Sequence, residues 1–126
     1  MSEHTEQAAF VEYVLWEFGN RPDFIRPLFF AVPNGAVLGG NRFALMAKLK
    51  QEGLRNGVAD VLYLQPRGKY NCLAIEMKSA KGKPTPEQLE FINAVHDAGG
   101  YSCICYGSDE AIKAFEAYMS LDRKEI

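Results

Sequence analysis

The sequence predicts a three-layer α/β domain, in which helices flank a central mixed β-sheet. Three observations predict this fold. Segments with helical spacing of apolar residues alternate with short apolar runs typical of strands. Two of these runs are joined by a turn short enough for a hairpin, and glycine or proline separates the other elements. Because no repeat or linker interrupts the pattern, we expect residues 1–126 to form one domain.

The predicted elements follow one another without long gaps. In chain order they are a helix over 4–18, a strand over 28–32, a helix over 42–52, strands over 58–65 and 71–79, a helix over 85–98, a strand over 101–106 and a helix over 108–119. The sequence therefore predicts four helices and four strands, with the hairpin in the middle of the chain.

Apolar spacing and residues that end helices or strands define the elements in the first half of the chain. Apolar residues recur every three or four positions over 4–18, which indicates a helix that buries one face. The next apolar run is too short for a helix and stops at Pro33, so we assign it to a strand. After a glycine-rich loop, we expect Asn41 to cap the second helix and Gly53 to end it.

Turn and cap signals define the elements of the second half. The segment Pro66–Tyr70 has the composition of a hairpin turn. Thr85, Pro86 and Gln88 match a capping box with proline at the first helical position. A double glycine ends that helix, and we expect Ser108 to cap the last one after a compact strand.

The charge is unevenly distributed, although the net charge is only −2. Residues 42–83 carry nine basic and three acidic side chains, and the segments on either side are acidic. A basic stretch within an acidic chain is typical of a surface that faces phosphate. The alternative, that most of these lysines are simply solvated, stays open at this point.

The composition favours a cytoplasmic protein. No apolar run approaches the roughly 18 residues of a membrane span, and no signal peptide is visible. The three cysteines form no disulfide framework, and Cys103 and Cys105 lack the further ligands of a zinc site. We therefore interpret them as reduced thiols of the core, with no membrane partner for the chain.

The most informative feature is a row of charges inside apolar sequence. Asp60 falls in one strand of the predicted hairpin, and Glu76 and Lys78 fall in the other. If the hairpin is symmetric about Gly68, Asp60 lies opposite Glu76, at a Cβ separation of about 5 Å. Lys78 then points to the same face, about 7 Å further along the strand. Two buried carboxylates at that distance repel each other unless a cation lies between them.

This arrangement suits a divalent metal ion that hydrolyses phosphodiesters. Hard oxygen ligands favour Mg²⁺ or Mn²⁺, and the Met77 carbonyl is a candidate third ligand beside Asp60 and Glu76. Lys78 would orient or deprotonate the attacking water, or stabilise the transition state. The alternative is a structural salt bridge among Asp60, Glu76 and Lys78.

The residues also resemble a known family. Gly57-Val58-Ala59-Asp60, followed after the turn by Ile75-Glu76-Met77-Lys78, resembles the PD-(D/E)XK nuclease superfamily and, more narrowly, its VRR-NUC group. Two departures are Ala59, where the superfamily often has proline, and Phe91, where tryptophan is common. Further similar segments occur in family order, namely Glu6-Gln7, Pro33-Asn34-Gly35, the helical segment from Gly39 to Gly53, Thr85-Pro86-Glu87-Gln88 and the stretch from Tyr101 to Asp109.

The resemblance implies a restriction-endonuclease-like fold and a metal-dependent DNA endonuclease. Small members of the group act as homodimers on branched DNA, especially four-way (Holliday) junctions in DNA repair, which implies a bacterial or phage-infected cell. It also implies catalytic assistance from Gln88 and from a carboxylate of the first helix, Glu6, with Glu12 as its rival. The side chains expected to contact DNA are Asn34, Arg42, Lys48, Arg55, Lys81 and Lys83.

Several alternatives stay open. Gln88 fits the capping box as well as the active site, and Glu6 fits a solvated position in the first helical turn. A nuclease-fold protein that binds DNA without cutting it is a second hypothesis for the whole chain. A nuclease of linear or flap DNA is a third.

Overall fold

The computed structural model describes residues 2–33 and 42–123, and it confirms the predicted α/β architecture. A four-stranded mixed sheet lies between helices on its two faces. The described elements are α1 (Glu3–Phe18), β1 (Phe29–Ala31), α2 (Arg42–Gln51), β2 (Val61–Tyr63), β3 (Leu73–Lys78), α3 (Pro86–Asp97), β4 (Tyr101–Tyr106) and α4 (Ser108–Met119), with a 3₁₀ turn over Arg26–Leu28 before β1. The predicted loop over 35–41 and its cap residue Asn41 lie outside the described residues.

The sheet order is β1-β2-β3-β4. Strands β1, β2 and β3 pair antiparallel, and β4 lies parallel to β3. The parallel pair requires a crossover connection, and α3 provides it. Because β3 is central, its side chains are covered on both faces, and all six of its residues are buried.

The two faces of the sheet have different cores. Leu73, Ile75 and Met77 of β3 pack into the larger core with side chains of α1 and α4. Ala74 belongs to the smaller core, which packs against α3 through Ile92. Successive side chains of a strand point to opposite faces, so the even-numbered residues of β3 face the α3 side.

The larger core is aromatic. The Phe115 ring of α4 makes contacts with Phe10, Phe18 and Phe29, at centroid separations of 5.2–6.2 Å. Aromatic pairs at these separations add about 0.5–1.5 kcal/mol each beyond their burial. This core fixes α1 and α4 on the sheet and leaves the α3 face for the charged residues.

The predicted hairpin register is confirmed. Val61 pairs with Ile75 and Tyr63 with Leu73, so the continuation of the register puts position 60 opposite position 76. The turn itself is tighter than expected, because Arg67 bridges to Tyr70 around only two residues. One more residue separates Tyr63 from Arg67 than separates Tyr70 from Leu73, and this difference keeps the predicted register between β2 and β3.

Two of the predicted helix caps, Thr85 and Ser108, lie within the described residues, and they have different outcomes. The Thr85–Gln88 capping box is present, with reciprocal hydrogen bonds of 3.2 and 2.9 Å. The cap of α4 was predicted wrongly: Gly107 is the cap residue, with φ +95°, and Ser108 is the first residue of the helix. The Ser108 amide instead donates to the Glu6 carboxylate of α1, at 2.6 Å.

Candidate active site

Asp60 lies just before β2, at a bend, and not within the strand as predicted. Its backbone carbonyl accepts a hydrogen bond from the Val32 amide at 2.8 Å. Its side-chain Oδ2 accepts one from the Met77 amide at 2.7 Å. At the end of the β2–β3 ladder, the Asp60 carboxylate thus accepts the hydrogen bond from the Met77 amide that a backbone carbonyl would otherwise accept. This bond fixes the Asp60 side chain against β3.

Glu76 and Lys78 lie side by side on the α3 face of β3. Their side chains are 1% and 8% exposed, and Lys78 Nζ lies 3.0 Å from Glu76 Oε2. At this distance the two side chains form an ion pair. Among the described residues, neither Glu76 oxygen has a hydrogen-bond partner. Buried carboxylate oxygens without donors are costly, which is the condition that a bound cation relieves.

The pKa of Glu76 is raised from its ordinary value of 4.5 to about 7. Burial is the largest cause, since it disfavours the charged form, and the charge of Asp60 is the next. The Lys78 ammonium acts in the opposite direction but does not outweigh them. Positive charge added near Glu76 would favour its ionised form and so lower this pKa.

A third carboxylate reaches the pair from α1. One carboxylate oxygen each of Glu3, Asp60 and Glu76 lies within 4.8 Å of the other two. Oxygen ligands lie about 2.0–2.6 Å from Mg²⁺ or Ca²⁺, so two ligands of one such ion are at most about 4–5 Å apart. The donor set, its spacing and the unpartnered Glu76 oxygens all fit a hard divalent cation.

Neither of the predicted first-helix carboxylates, Glu6 and Glu12, belongs to this group. Glu6 caps α4 through the Ser108 amide, and that bond lowers its pKa. Glu12 is exposed beside Trp16 on the outer surface of α1. Glu3 is the residue near Asp60 and Glu76, and sequence reasoning missed it. Glu3 and Glu6 both lie in the first helical turn, so only the docking of α1 distinguishes them.

Met77 and Gln88 border the carboxylates in different ways. The Met77 amide contacts Asp60, while its side chain is fully buried in the larger core. The Gln88 side-chain oxygen accepts a hydrogen bond from the Thr85 amide, as the capping interpretation requires. The metal-binding role of the Met77 carbonyl and the catalytic role of Gln88 stay predictions.

The basic residues predicted to bind DNA are partly accessible. Lys48, Lys81 and Lys83 are exposed. Arg55 is also exposed but pairs with Glu90 at 2.5 Å. Asn34 and the side chain of Arg42 lie outside the described part of the chain. Lys81 and Lys83 lie in the loop that follows β3, the strand that ends at Lys78.

The cysteines take no part in this centre. All three are free, and Cys103 and Cys105 belong to the larger core on the opposite face of the sheet. Their sulfur atoms are 3.7 Å apart. Among the residues that the structure describes, no helix is long and apolar enough to span a bilayer.

Fold and site together define a nuclease-type α/β domain with a carboxylate–lysine centre. The family model of the VRR-NUC domain matches residues 33–109, and the chain belongs to the VRR-NUC family. A solved structure described as "VRR_NUC domain protein" has the same fold, with a TM-score of 0.81 and 24% sequence identity. That comparison covers 99% of this chain and 93% of the other. No curated protein matches the sequence.

Proposed function

We propose that the protein is a Mg²⁺- or Mn²⁺-dependent endonuclease that hydrolyses phosphodiester bonds in branched DNA, with four-way junctions as its main substrate. One observation carries this proposal: Glu3, Asp60 and Glu76 converge within 4.8 Å beside the Lys78 ammonium. The arrangement suits hydrolysis better than passive binding, because a surface that only binds DNA gains nothing from buried carboxylates.

Glu3, Asp60 and Glu76 would hold the ion, with the Met77 carbonyl as a further ligand. The ion would neutralise charge on the phosphate and make a water molecule more acidic. The chain's own contribution is preorganisation. Asp60 is fixed by the Met77 amide, and Glu76 is fixed by its position in the central strand.

Lys78 would act on the reacting phosphate. Lys78 is buried, and its ammonium group lies beside Glu76. A confined positive charge stabilises the charge that develops on phosphate oxygens in the transition state. The same ammonium would also orient the attacking water.

The basic residues would hold the DNA backbone. Exposed Lys81 and Lys83 follow β3 directly, and exposed Lys48 lies on α2. Contacts of this kind are electrostatic, so binding should weaken steeply as salt increases. A homodimer would present two such centres to two strands, which paired cuts at a junction require.

The test is cleavage of an end-labelled four-way junction with Mg²⁺ or Mn²⁺, beside flap and linear duplex substrates. Removing a ligand of the ion from a preorganised centre should cost at least about 100-fold in cleavage rate. We expect that loss in Glu76→Ala and Asp60→Ala, and a similar loss in Lys78→Ala, which removes the positive charge that would act on the phosphate. Glu3→Ala should be clearly impaired, whereas Glu12→Ala, on the exposed surface of the same helix, should match the wild type.

The outcomes separate the alternatives. Junction cleavage that survives in Glu76→Ala and Lys78→Ala would remove these residues from the mechanism. Junction binding without cleavage, under every divalent ion tried, would favour a DNA-binding protein. Equal cutting of linear, flap and junction DNA would remove the preference for branched substrates.

A further inference from the structure

An exposed aromatic side chain lies beside the lysine of the candidate active site. Tyr106 is the last residue of β4 and pairs in register with Lys78, the last residue of β3. Neighbouring strands are about 4.8 Å apart, so the two residues start from adjacent positions. Tyr106 is 40% exposed, although Lys78 beside it is buried.

The strand alternation places Tyr106 on the same face as the carboxylates. Cys103 and Cys105 of β4 belong to the larger core, whereas Ile104 packs with the smaller core on the α3 side. Tyr106 therefore shares the α3 face with Ile104, Lys78 and Glu76. In register, Ile104 lies next to Glu76 and Tyr106 next to Lys78. Ile104 closes one side of the carboxylate row, and Tyr106 forms its exposed rim.

The backbone of Tyr106 is held firmly. Its amide donates to Glu110 Oε1 at 2.9 Å, and the following Gly107 amide donates to the Lys78 carbonyl at 3.2 Å. The first bond comes from α4 and the second from β3, so the residue is fixed from two elements. An exposed ring on a fixed backbone is a preorganised contact surface.

We propose that the Tyr106 ring is a base-stacking platform for the nucleotide adjoining the scissile phosphate. This inference rests on the proposed function, since Lys78 marks where that phosphate lies. Every base has a flat π face, so such a platform needs no sequence preference. It also favours a base that has left its helical stack, as at a junction or a flap. The platform thus selects unpaired or distorted DNA for this centre.

The experiment measures binding and cleavage separately, with 2-aminopurine placed beside the cleavage position of a four-way junction. Ca²⁺ replaces Mg²⁺ in the binding assay to suppress cutting. Stacking on an aromatic side chain is worth about 1–3 kcal/mol per base by alanine substitution, so Tyr106→Ala should weaken junction binding about 5- to 150-fold. It should also alter the 2-aminopurine fluorescence of the complex.

Two variants control for other effects. Tyr106→Phe keeps the ring and should retain wild-type binding and fluorescence. Trp16→Ala removes a more exposed aromatic side chain, 86% exposed on α1, and should change neither. In cleavage assays Tyr106→Ala should raise KM more than it lowers kcat, since Lys78 and the carboxylates remain intact.

The proposal is overturned if Tyr106→Ala binds the junction like the wild type, or if Tyr106→Phe loses as much affinity as Tyr106→Ala. In the second case the hydroxyl group, and not the ring, makes the contact. If the wild type binds the junction but never cuts it, the proposed function fails. The binding assay with Tyr106→Ala then still decides whether Tyr106 stacks on a base. If the wild type binds no DNA, both proposals are wrong.

Discussion

At the residue scale, Glu76 has the most unusual environment of the described carboxyl groups. It is 1% exposed, has no hydrogen-bond donor among the described residues and lies near two other carboxylates. Its pKa, raised to about 7, makes the protein sensitive to pH in the physiological range. Without metal, the folded state binds this proton more tightly than the unfolded state does. The stability it contributes is therefore complete below the ordinary pKa of 4.5 and is lost as the pH rises through about 7.

The same pKa predicts pH-dependent metal binding. An ion must displace the Glu76 proton, so apparent affinity for Mn²⁺ should rise about tenfold between pH 6 and pH 8 and then level off. Isothermal titration with Mn²⁺ across this range measures it. Glu76→Gln should bind Mn²⁺ more weakly and without that pH dependence. A wild-type affinity that is constant from pH 6 to pH 8 would show that Glu76 is already ionised in the metal-free protein.

At the element scale, the loop before β2 is held against the start of α3 through a glycine. Gly57 has φ +86°, and a Cβ added there would lie 2.6 Å from the Glu87 carbonyl carbon. Contact with rigid backbone cannot be relieved by a side-chain rotation. This close approach positions Asp60, three residues further along, relative to α3.

Gly57→Ala should therefore destabilise the protein by more than about 3 kcal/mol, because a backbone clash adds to the cost of positive φ. Gly53→Ala is the matched control, since Gly53 has φ +106° but nothing within 4 Å of an added Cβ. It should cost only about 1 kcal/mol. Urea unfolding of both variants gives the comparison. Equal losses would mean that the contact with Glu87 is not tight in solution.

The capping box allows the two proposed roles of Gln88 to be separated. Thr85→Ala removes the cap and should cost about 1 kcal/mol of stability with little change in kcat. Gln88→Glu keeps a capping oxygen at the same position and should retain that stability. If Gln88 only caps α3, cleavage by Gln88→Glu will equal that of the wild type. A large fall in kcat at unchanged stability would instead assign Gln88 to catalysis.

Local patterns predicted the elements and the central pair well. The hairpin symmetry placed position 60 opposite position 76, and the β2–β3 register agrees. The first three strands were predicted too long, whereas β4 has the predicted bounds. At the start of β2, a side-chain bond of Asp60 replaces backbone pairing. The α4 cap was also missed, since the acceptor is Glu6, 102 positions away in sequence. A local motif contains no signal for a partner that arrives only when two helices dock.

At the scale of the whole molecule, the large core and the charged residues lie on opposite faces of the sheet. One face of the sheet carries the aromatic core with α1 and α4, and the other carries the charged row beside α3. The N-terminal turn of α1 joins the two, because Glu6 caps α4 while Glu3 reaches Asp60 and Glu76. Sequence periodicity could place α1 as a helix, but only tertiary packing decides which of its acids reaches the carboxylate pair.

The proposed function requires that Glu3, Asp60 and Glu76 bind one divalent ion together. The most direct measurement is an anomalous difference map from crystals of the protein soaked in Mn²⁺ at pH 8. We expect a single strong peak bounded by these three carboxylates, and its loss in Glu76→Gln crystals. A wild-type protein that cuts DNA with Mn²⁺, yet shows no peak there or shows it elsewhere, would contradict the account.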